Sequence, residues 1–241
     1  MKINKSVTLV AIVLFIAVSA SAQTADEIIG KYVQAIGGKD MLAKIKSVYT
    51  EGSMEVMGMQ IIVKSTILNG TGMRQDMEVS GSTITNCIND KGGWTINPMT
   101  GSSSAEAMPE AQYKSGRDEI VVGAPFTNYA EKGYKVELVG NEPVGDVTAF
   151  KVKMSTPDNT SSMYFFDPKT FYLIKTVQQT DMQGQTVENV ITFSDFRQTE
   201  GYTLPYKMNT DIAGGQFSMA LTVTKVELNK PVDEAIFAKP Q

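Results

Sequence analysis

A two-residue alternation of apolar and polar side chains runs through most of residues 48 to 228 and limits what the chain can fold into. In its first segment Met54 and Val56 fall on one side, and Glu51 and Glu55 fall on the other. Because successive side chains of a strand point to opposite faces, this pattern predicts antiparallel strands with one apolar face. Turn-forming pairs separate the segments: Asn69-Gly70, Ser80-Gly81, Asp167-Pro168, Gln183-Gly184 and Gly214-Gly215. Their spacing predicts a meander in which consecutive strands are neighbours.

The alternating segments predict the fold class as well as the strands. About 11 strands share one apolar face, and a sheet of that many twisted strands tends to curl. We therefore expect a mainly β (α+β) fold with a single curved antiparallel sheet that forms a half-open barrel. An N-terminal helix and a mid-chain helical or loop lid should cover its concave face.

Two short helices are predicted to precede the sheet. Thr24 followed three positions later by Glu27 is a capping box, and Gly37 is a natural C-terminal stop, so the first helix should span residues 25 to 36. One side of this helix carries an apolar stripe of Ile28, Tyr32 and Ile36. A second helix is expected over residues 39 to 46. Both helices need a partner surface for their apolar sides.

The alternation is interrupted once, between residues 98 and 134. A small, polar stretch over residues 100 to 107 is followed by residues 109 to 122, which can form a short amphipathic helix, and by an apolar, turn-prone segment over residues 121 to 129. Long excursions in compact domains are usually functional or disordered, and the apolar residues of this one favour packing. We expect this one to pack over the sheet as a lid.

The N-terminus has the pattern of a cleaved signal peptide. Lys2 and Lys5 precede an apolar run over residues 7 to 18, and the small residues 20 to 22 form a signal-peptidase pattern. The run is shorter than the ~20 residues that span a bilayer. We expect cleavage before Gln23, which would leave a periplasmic protein without a permanent membrane anchor.

The sequence after residue 22 is expected to form a single domain, residues 23–241, with residues 98–134 as its excursion. The lone cysteine, Cys87, cannot form an internal disulfide and is expected to be buried as a small hydrophobe. Once Lys2 and Lys5 are removed, 20 basic residues face 26 acidic ones. That balance and the lack of a basic run argue against a nucleic-acid partner.

The absence of histidine from the sequence excludes several classes of active site and metal site. It removes Ser-His-Asp and Cys-His nucleophile systems, histidine zinc sites and histidine general bases. The glycine pairs lack the spacing of a phosphate-binding loop. We therefore expect no cofactor, no resident metal and no catalytic residues.

Two chemical alternatives remain open at this point. Met54, Met57 and Met59 lie close together in the sequence, and thioethers can bind Cu(I). Asp118 and Glu119 lie in the excursion, and paired carboxylates can act on a glycan as acid and base. A Cu(I) site and a carboxylate-dependent hydrolase are therefore the less favoured alternatives to a binding function.

Five segments carry a resemblance to a known family. They are residues 24–29, the helix ending at 35–38, the run 164–170, residues 196–206, and the C-terminal run 229–237. In this order and spacing the chain resembles the LolA/LolB-like group of outer-membrane lipoprotein-sorting proteins. The resemblance implies a curved antiparallel sheet around an apolar cavity closed by helices, which shields acyl chains of lipoproteins or other lipids in the periplasm. Carriers of this group have an arginine near the cavity mouth, and Arg74, Arg117 and Arg197 are this chain's arginines.

The apolar side of the predicted sheet and the excursion supply a candidate ligand-binding surface. Methionine suits such a surface because its flexible side chain adapts to varied apolar ligands. The predicted lining residues are Met54, Val56, Ile61, Val63, Trp94, Phe126, Ile191, Phe193, Tyr206, Met208, Phe217, Met219 and Leu221. Trp94 is expected either at the rim or as a core anchor. We expect a periplasmic lipid or lipoprotein carrier that serves outer-membrane biogenesis, or alternatively an envelope sensor or interaction module with a protein partner.

Overall fold

The computed structural model describes residues 23–56, 58–182 and 185–240. The expected signal peptide, residues 1–22, lies outside the described residues, and so does Met57. No helix in the described ranges is long and apolar enough to cross a membrane.

The described residues form three α-helices and three short 3₁₀-helices. The start of the first α-helix follows from a sequence signal. The α-helices are α1 (Ala25–Ala35), α2 (Lys39–Leu42) and α3 (Glu110–Gly116), and the 3₁₀-helices are Pro98–Thr100, Arg117–Ile120 and Glu234–Phe237. The predicted capping box is confirmed, because the Glu27 N–H donates to Thr24 Oγ1 at 3.2 Å and the Thr24 N–H donates to the Glu27 carboxylate at 3.1 Å. Helix α2 is shorter than predicted and ends at Leu42.

Thirteen strands form the rest of the fold. In chain order they are β1 (Ser47–Val56), β2 (Met59–Leu68), β3 (Gly72–Val79), β4 (Ser82–Asn89), β5 (Gly92–Asn97), β6 (Ser102–Ala107), β7 (Lys135–Val144), β8 (Val147–Ser155), β9 (Ser161–Phe166), β10 (Leu173–Met182), β11 (Gln185–Thr199), β12 (Tyr202–Ile212) and β13 (Phe217–Leu228).

All thirteen strands belong to one antiparallel sheet, in the order β6-β5-β4-β3-β2-β1-β13-β12-β11-β10-β9-β8-β7. The chain starts in the middle, runs to one edge, crosses to the other edge and returns to the middle, where β1 pairs with β13. Strands β6 and β7 are the two edges, so the sheet is open and the predicted half-open arrangement is confirmed. The strand number exceeds the predicted one partly because the polar stretch at Ser102–Ala107 forms an edge strand, which needs only main-chain pairing with β5.

The strand register defines two faces of the sheet. Val48 and Met54 lie on the side that packs against α1, which we call the inner face, whereas Tyr49 and Glu55 lie on the outer face. One hydrophobic cluster joins α1 both to Val48 on β1 and to Val152 on β8. These strands are six positions apart, or ~29 Å in a flat sheet, whereas α1 is only ~16 Å long. The sheet therefore curves around the helix.

The excursion at residues 98–134 joins the two edges of the sheet by crossing its inner face. Met108 packs on Met73 and Ile88 near the first edge. The Gly70 N–H donates to the Ile120 carbonyl at 2.7 Å, and Phe126 lies in the cluster that α1 forms. We call residues 108–134 the covering segment. The amphipathic helix predicted over 109–122 is confirmed in part, as α3 followed by a 3₁₀ turn.

The C-terminal residues cover a different cluster on the outer face. Cys87, Trp94 and Phe237 are buried together there, and the Trp94 Nε1–H donates to the Phe237 carbonyl at 3.0 Å. Burial raises the pKa of the Cys87 thiol to about 12. Cys87 is thus buried as expected, and Trp94 is a core anchor. The placement of Trp94 at a cavity rim was wrong, because its strand position turns it away from the inner face.

A substitution at Gly72 tests how tightly this outer-face cluster is packed. A Cβ built on Gly72 would lie 2.7 Å from the Phe237 ring, whereas a Cβ on Gly92 would meet nothing within 4 Å. Gly72→Ala should lower the free energy of unfolding by about 1–3 kcal/mol, because the ring must leave its place beside Trp94. Urea denaturation measures this, with Gly92→Ala as the matched control. Equal midpoints for the two variants would contradict this packing.

Candidate functional site

The covered and uncovered parts of the inner face differ in composition and exposure. The helices and the covering segment bury the inner side of β7–β9 and the ends of β1 and β13 that carry Val48 and Leu228. The opposite ends of β1, β2, β11, β12 and β13 lie outside that cluster. They still carry apolar side chains on their inner side, among them Met54 and Leu221, which are half-buried.

The apolar side chains of this region form continuous rows across neighbouring strands. One row follows the register from Ile61 to Met54, Leu221, Met208 and Phe193 on β2, β1, β13, β12 and β11. The next row contains Val56, Met219, Thr210 and Ile191. Because directly opposed side chains in a sheet are ~5 Å apart, each row is a contiguous surface. We call these two rows, with Val63 and Phe217, the inner trough.

Most of the predicted lining residues are brought together by this arrangement. Those on the inner face are Met54, Val56, Ile61, Val63, Ile191, Phe193, Tyr206, Met208, Phe217, Met219 and Leu221. Phe217 is 51% exposed and Met59, beside Val56 in the register, is 52% exposed. Exposed large apolar side chains next to a contiguous apolar surface are typical of a binding site.

Phe126 and Trp94 are not part of the trough. Phe126 belongs to the covering segment, where its ring packs at 4.9 Å from those of Tyr32 and Tyr164. Only 3% of Phe126 is exposed, so it seals the covered part of the inner face and does not line an open surface. Trp94 lies on the outer face.

The three arginines occupy different parts of the molecule. Arg74 lies on the outer face, paired with Asp76, and Arg117 lies in the covering segment. Arg197 lies on the inner face, opposite Leu204, with its guanidinium 4.4 Å from the Tyr206 ring centre. It also donates to both Asp195 carboxylate oxygens, at 2.7 and 2.9 Å, and this pairing lowers the pKa of Asp195. Arg197 is therefore the arginine nearest the trough, and its charge is already paired.

The residues of the two chemical alternatives are not assembled into sites. Asp118 lies in the covering segment and accepts hydrogen bonds from Lys132 Nζ and, at 3.0 Å, from the Tyr134 hydroxyl. Glu119, the other carboxylate of the predicted acid–base pair, is exposed. Among the described residues, no group of three or more His, Cys, Asp or Glu side chains could hold a metal ion. Of the methionine cluster, Met54 and Met59 share the inner face, and Met57 lies outside the described residues.

A concavity of about 480 Å³ lies on the outer face. Its lining is mainly polar: Glu55, Thr192, Asn209, Asp211, Ser218, Met219 and Ala220. Ser218 Oγ donates to an Asp211 carboxylate oxygen within it. Two carboxylates and several amide or hydroxyl groups do not suit an apolar ligand, so the trough remains the candidate site.

Comparisons with solved structures identify the fold. No protein-family model matches the sequence, and no curated protein does. A domain from Vibrio parahaemolyticus, provisionally named an outer membrane lipoprotein-sorting protein, matches with a TM-score of 0.60 at 15% identity over 89% of this chain and 96% of its own. A LolA superfamily protein from Nitrosomonas europaea matches at 0.60 and 14% identity over 90% and 99%. A DUF1329 family protein from Desulfovibrio piger matches at 0.60 and 12% identity over 89% and 97%.

These likenesses show that the chain has a LolA-like fold, as the sequence resemblance implied. At such low identities they show the fold alone. A fold of this kind does not determine a function, which depends on the geometry and chemistry of the inner trough.

The contacts of Asp118 predict how firmly the covering segment is held. Asp118→Asn removes the charge that pairs with Lys132 and weakens the bond from Tyr134. The free energy of local opening of residues 108–134 should fall by about 1.5–3 kcal/mol, the range for hydrogen bonds to charged groups. Hydrogen–deuterium exchange measures this change. Glu110→Gln, at an exposed pair with Lys114, is the control and should leave exchange of the segment unchanged. Unchanged exchange in Asp118→Asn would contradict the anchoring role.

Proposed function

We propose that this protein is a periplasmic binding protein that shelters acyl chains of lipoproteins, or other apolar ligands, in the inner trough. The observation that carries the proposal is the row from Ile61 to Phe193, which is apolar on five adjacent strands and lies outside the helix-covered core. The row crosses four strand spacings, or ~19 Å. That length allows an extended acyl chain to contact each of the five strands.

The chemistry of the trough supports binding by apolar contact. Its rows carry no charged side chain, and its methionines, Met54, Met208 and Met219, can adapt to chains of different shape. Each methylene group moved from water into such a surface contributes about 0.8 kcal/mol. An acyl chain can therefore supply enough binding energy without a catalytic or metal centre, which is why we propose a binding protein and not an enzyme.

The compartment is part of the same proposal. The basic start and apolar run at residues 1–22 fit a secretion signal that is removed, and the protein named after lipoprotein sorting shares the fold. A protein that carries acyl chains between two membranes needs an apolar surface that receives them and no permanent anchor. Lipoprotein acyl chains are the ligand that the fold resemblance favours.

An envelope interaction module is the second candidate. The exposed Met59 and Phe217 at the end of the trough favour it, because exposed apolar patches also mark protein interfaces. In that case the trough would receive a partner protein's side chains and no transported lipid.

Leu221 and Thr222 provide a matched pair for testing the ligand site. Leu221 lies on the inner face at the centre of the row, and the next residue, Thr222, is exposed on the outer face. Leu221→Glu should reduce the affinity for an apolar fluorescent probe, N-phenyl-1-naphthylamine, or for a palmitoylated peptide at least tenfold, because a carboxylate would have to be desolvated. Fluorescence titration measures both affinities.

The control Thr222→Glu adds the same charge on the other face and should bind the probe as the unchanged protein does. Circular dichroism and urea denaturation establish that both variants are folded. Equal probe affinities of two folded variants would contradict the trough as the ligand site. The interaction module would be favoured if the unchanged protein bound no lipid but captured a protein partner, and if Leu221→Glu no longer captured that partner.

A further inference from the structure

A line of polar side chains crosses the inner face immediately beside the trough. The strand register places Thr50 opposite Ser65, Ser65 opposite Gln75, Gln75 opposite Asn86, and Asn86 opposite Thr95. At the edge strand the line ends with Glu106 opposite Thr95. The polar ladder, as we call these six residues, therefore runs unbroken over β1 to β6. The residues are distant in sequence, and only the register aligns them.

Apolar rows border the polar ladder on both sides. On one side, Val48, Ile67, Met73 and Ile88 follow the register and pack against the helices and the covering segment. On the other side, Val63, Met77 and Ile84 follow it in the same way and continue into the trough. The ladder is thus a hydrogen-bonding strip at the boundary between the covered core and the open apolar surface.

The side chains of the ladder have unused hydrogen-bonding capacity. Thr95 Oγ1 donates to Asn86 Oδ1 at 2.9 Å, which leaves the Asn86 amide N–H groups available. The side chains of Thr50, Ser65 and Gln75 make no hydrogen bond to another of the described residues. The ladder residues on β1 to β5 are all half-buried, so water reaches them in the free protein. Hydroxyl and amide groups of this kind both donate and accept.

The ladder's own side chains select against an anionic ligand group. The ladder contains no cation, and its one ionisable group is the carboxylate of Glu106 at the edge. Arg197, on the inner face of β11, is already bound to Asp195 and stacked on Tyr206. A phosphate or carboxylate placed at the ladder would lose its hydration without gaining an opposite charge. An uncharged hydroxyl- or amide-bearing group would replace its water with the ladder's side chains.

We propose that the ladder binds the polar part of the ligand and selects amphiphiles whose head is uncharged and rich in hydroxyl, ester or amide groups. This inference rests on the proposed function, since it assumes that an acyl chain occupies the trough. A head of this kind could belong to a neutral glycerolipid or to the acylated end of a lipoprotein. A fully apolar ligand that covered the ladder would bind less tightly, because each polar group left covered and unpaired lowers affinity on the order of tenfold.

A matched pair of ligands tests the proposal. Monopalmitoylglycerol and palmitoyl-glycerol-3-phosphate share one acyl chain and the glycerol, and differ by the phosphate. Both are used to displace N-phenyl-1-naphthylamine from the delipidated protein. We expect the uncharged ligand to bind about tenfold more tightly, a factor equivalent to one or two net hydrogen bonds. An N-palmitoylated peptide, measured in the same way, distinguishes an acylated protein from a glycerolipid as the source of the head.

Variants separate the ladder from the trough. The double substitution Gln75→Met with Asn86→Leu should bring the affinity ratio of the two ligands close to one, and the naphthylamine probe should still bind. Thr83→Val, on the exposed outer face of β4, is the control and should keep the tenfold ratio. Equal binding of both ligands by the unchanged protein, or tighter binding of the phosphate, would overturn the inference and leave the proposed function standing. Failure of the probe and of every acylated ligand to bind the unchanged protein would overturn both.

Discussion

The pairing of the first strand with the last holds this architecture together. Strands β1 and β13 meet in the middle of the sheet, so they join a half built from β2–β6 to a half built from β7–β12. The candidate site depends on the same pairing, because Met54 opposite Leu221 makes one continuous apolar row from two halves. A close approach within the pairing is possible because Gly52 has no side chain, and a Cβ there would lie 2.4 Å from the Thr222 carbonyl oxygen. The long-range pairing thus creates both the fold and the surface.

A sheet curved around one helix divides its own inner face into two regions. Helix α1 and the covering segment fill the part near β7–β9 with an aromatic cluster that includes Tyr32, Phe126 and Phe166. One 11-residue helix cannot cover thirteen strands, so inner-face residues such as Met54, Met208 and Leu221, on β1, β12 and β13, remain only half-buried. That division accounts for a stable core and an open apolar trough in one sheet. The polar ladder lies at the border on the side of β1–β6.

Some of this structure could be predicted from the sequence because its signals are local. The capping box at Thr24 and Glu27 predicts where α1 begins, and the alternation around Met54 and Leu221 predicts which residues share a face. Features that depend on register or on distant contacts could not be predicted. Trp94 faces outward because of how β4 and β5 pair, and its partner Phe237 comes from the end of the chain. The ladder is invisible in the sequence, since an isolated Gln75 or Asn86 reads as an ordinary polar residue of a strand.

Native mass spectrometry with lipid extraction shows whether the inner trough holds acyl chains, as we propose. The protein would be purified without detergent from the cells that produce it naturally, and its mass would be compared before and after extraction. We expect acyl-chain material that co-purifies with the protein, is removed by extraction and is taken up again when acylated ligands are added. A protein that has only its own mass, and that takes up neither added lipids nor acylated peptides, would show that the trough is not an acyl-chain site.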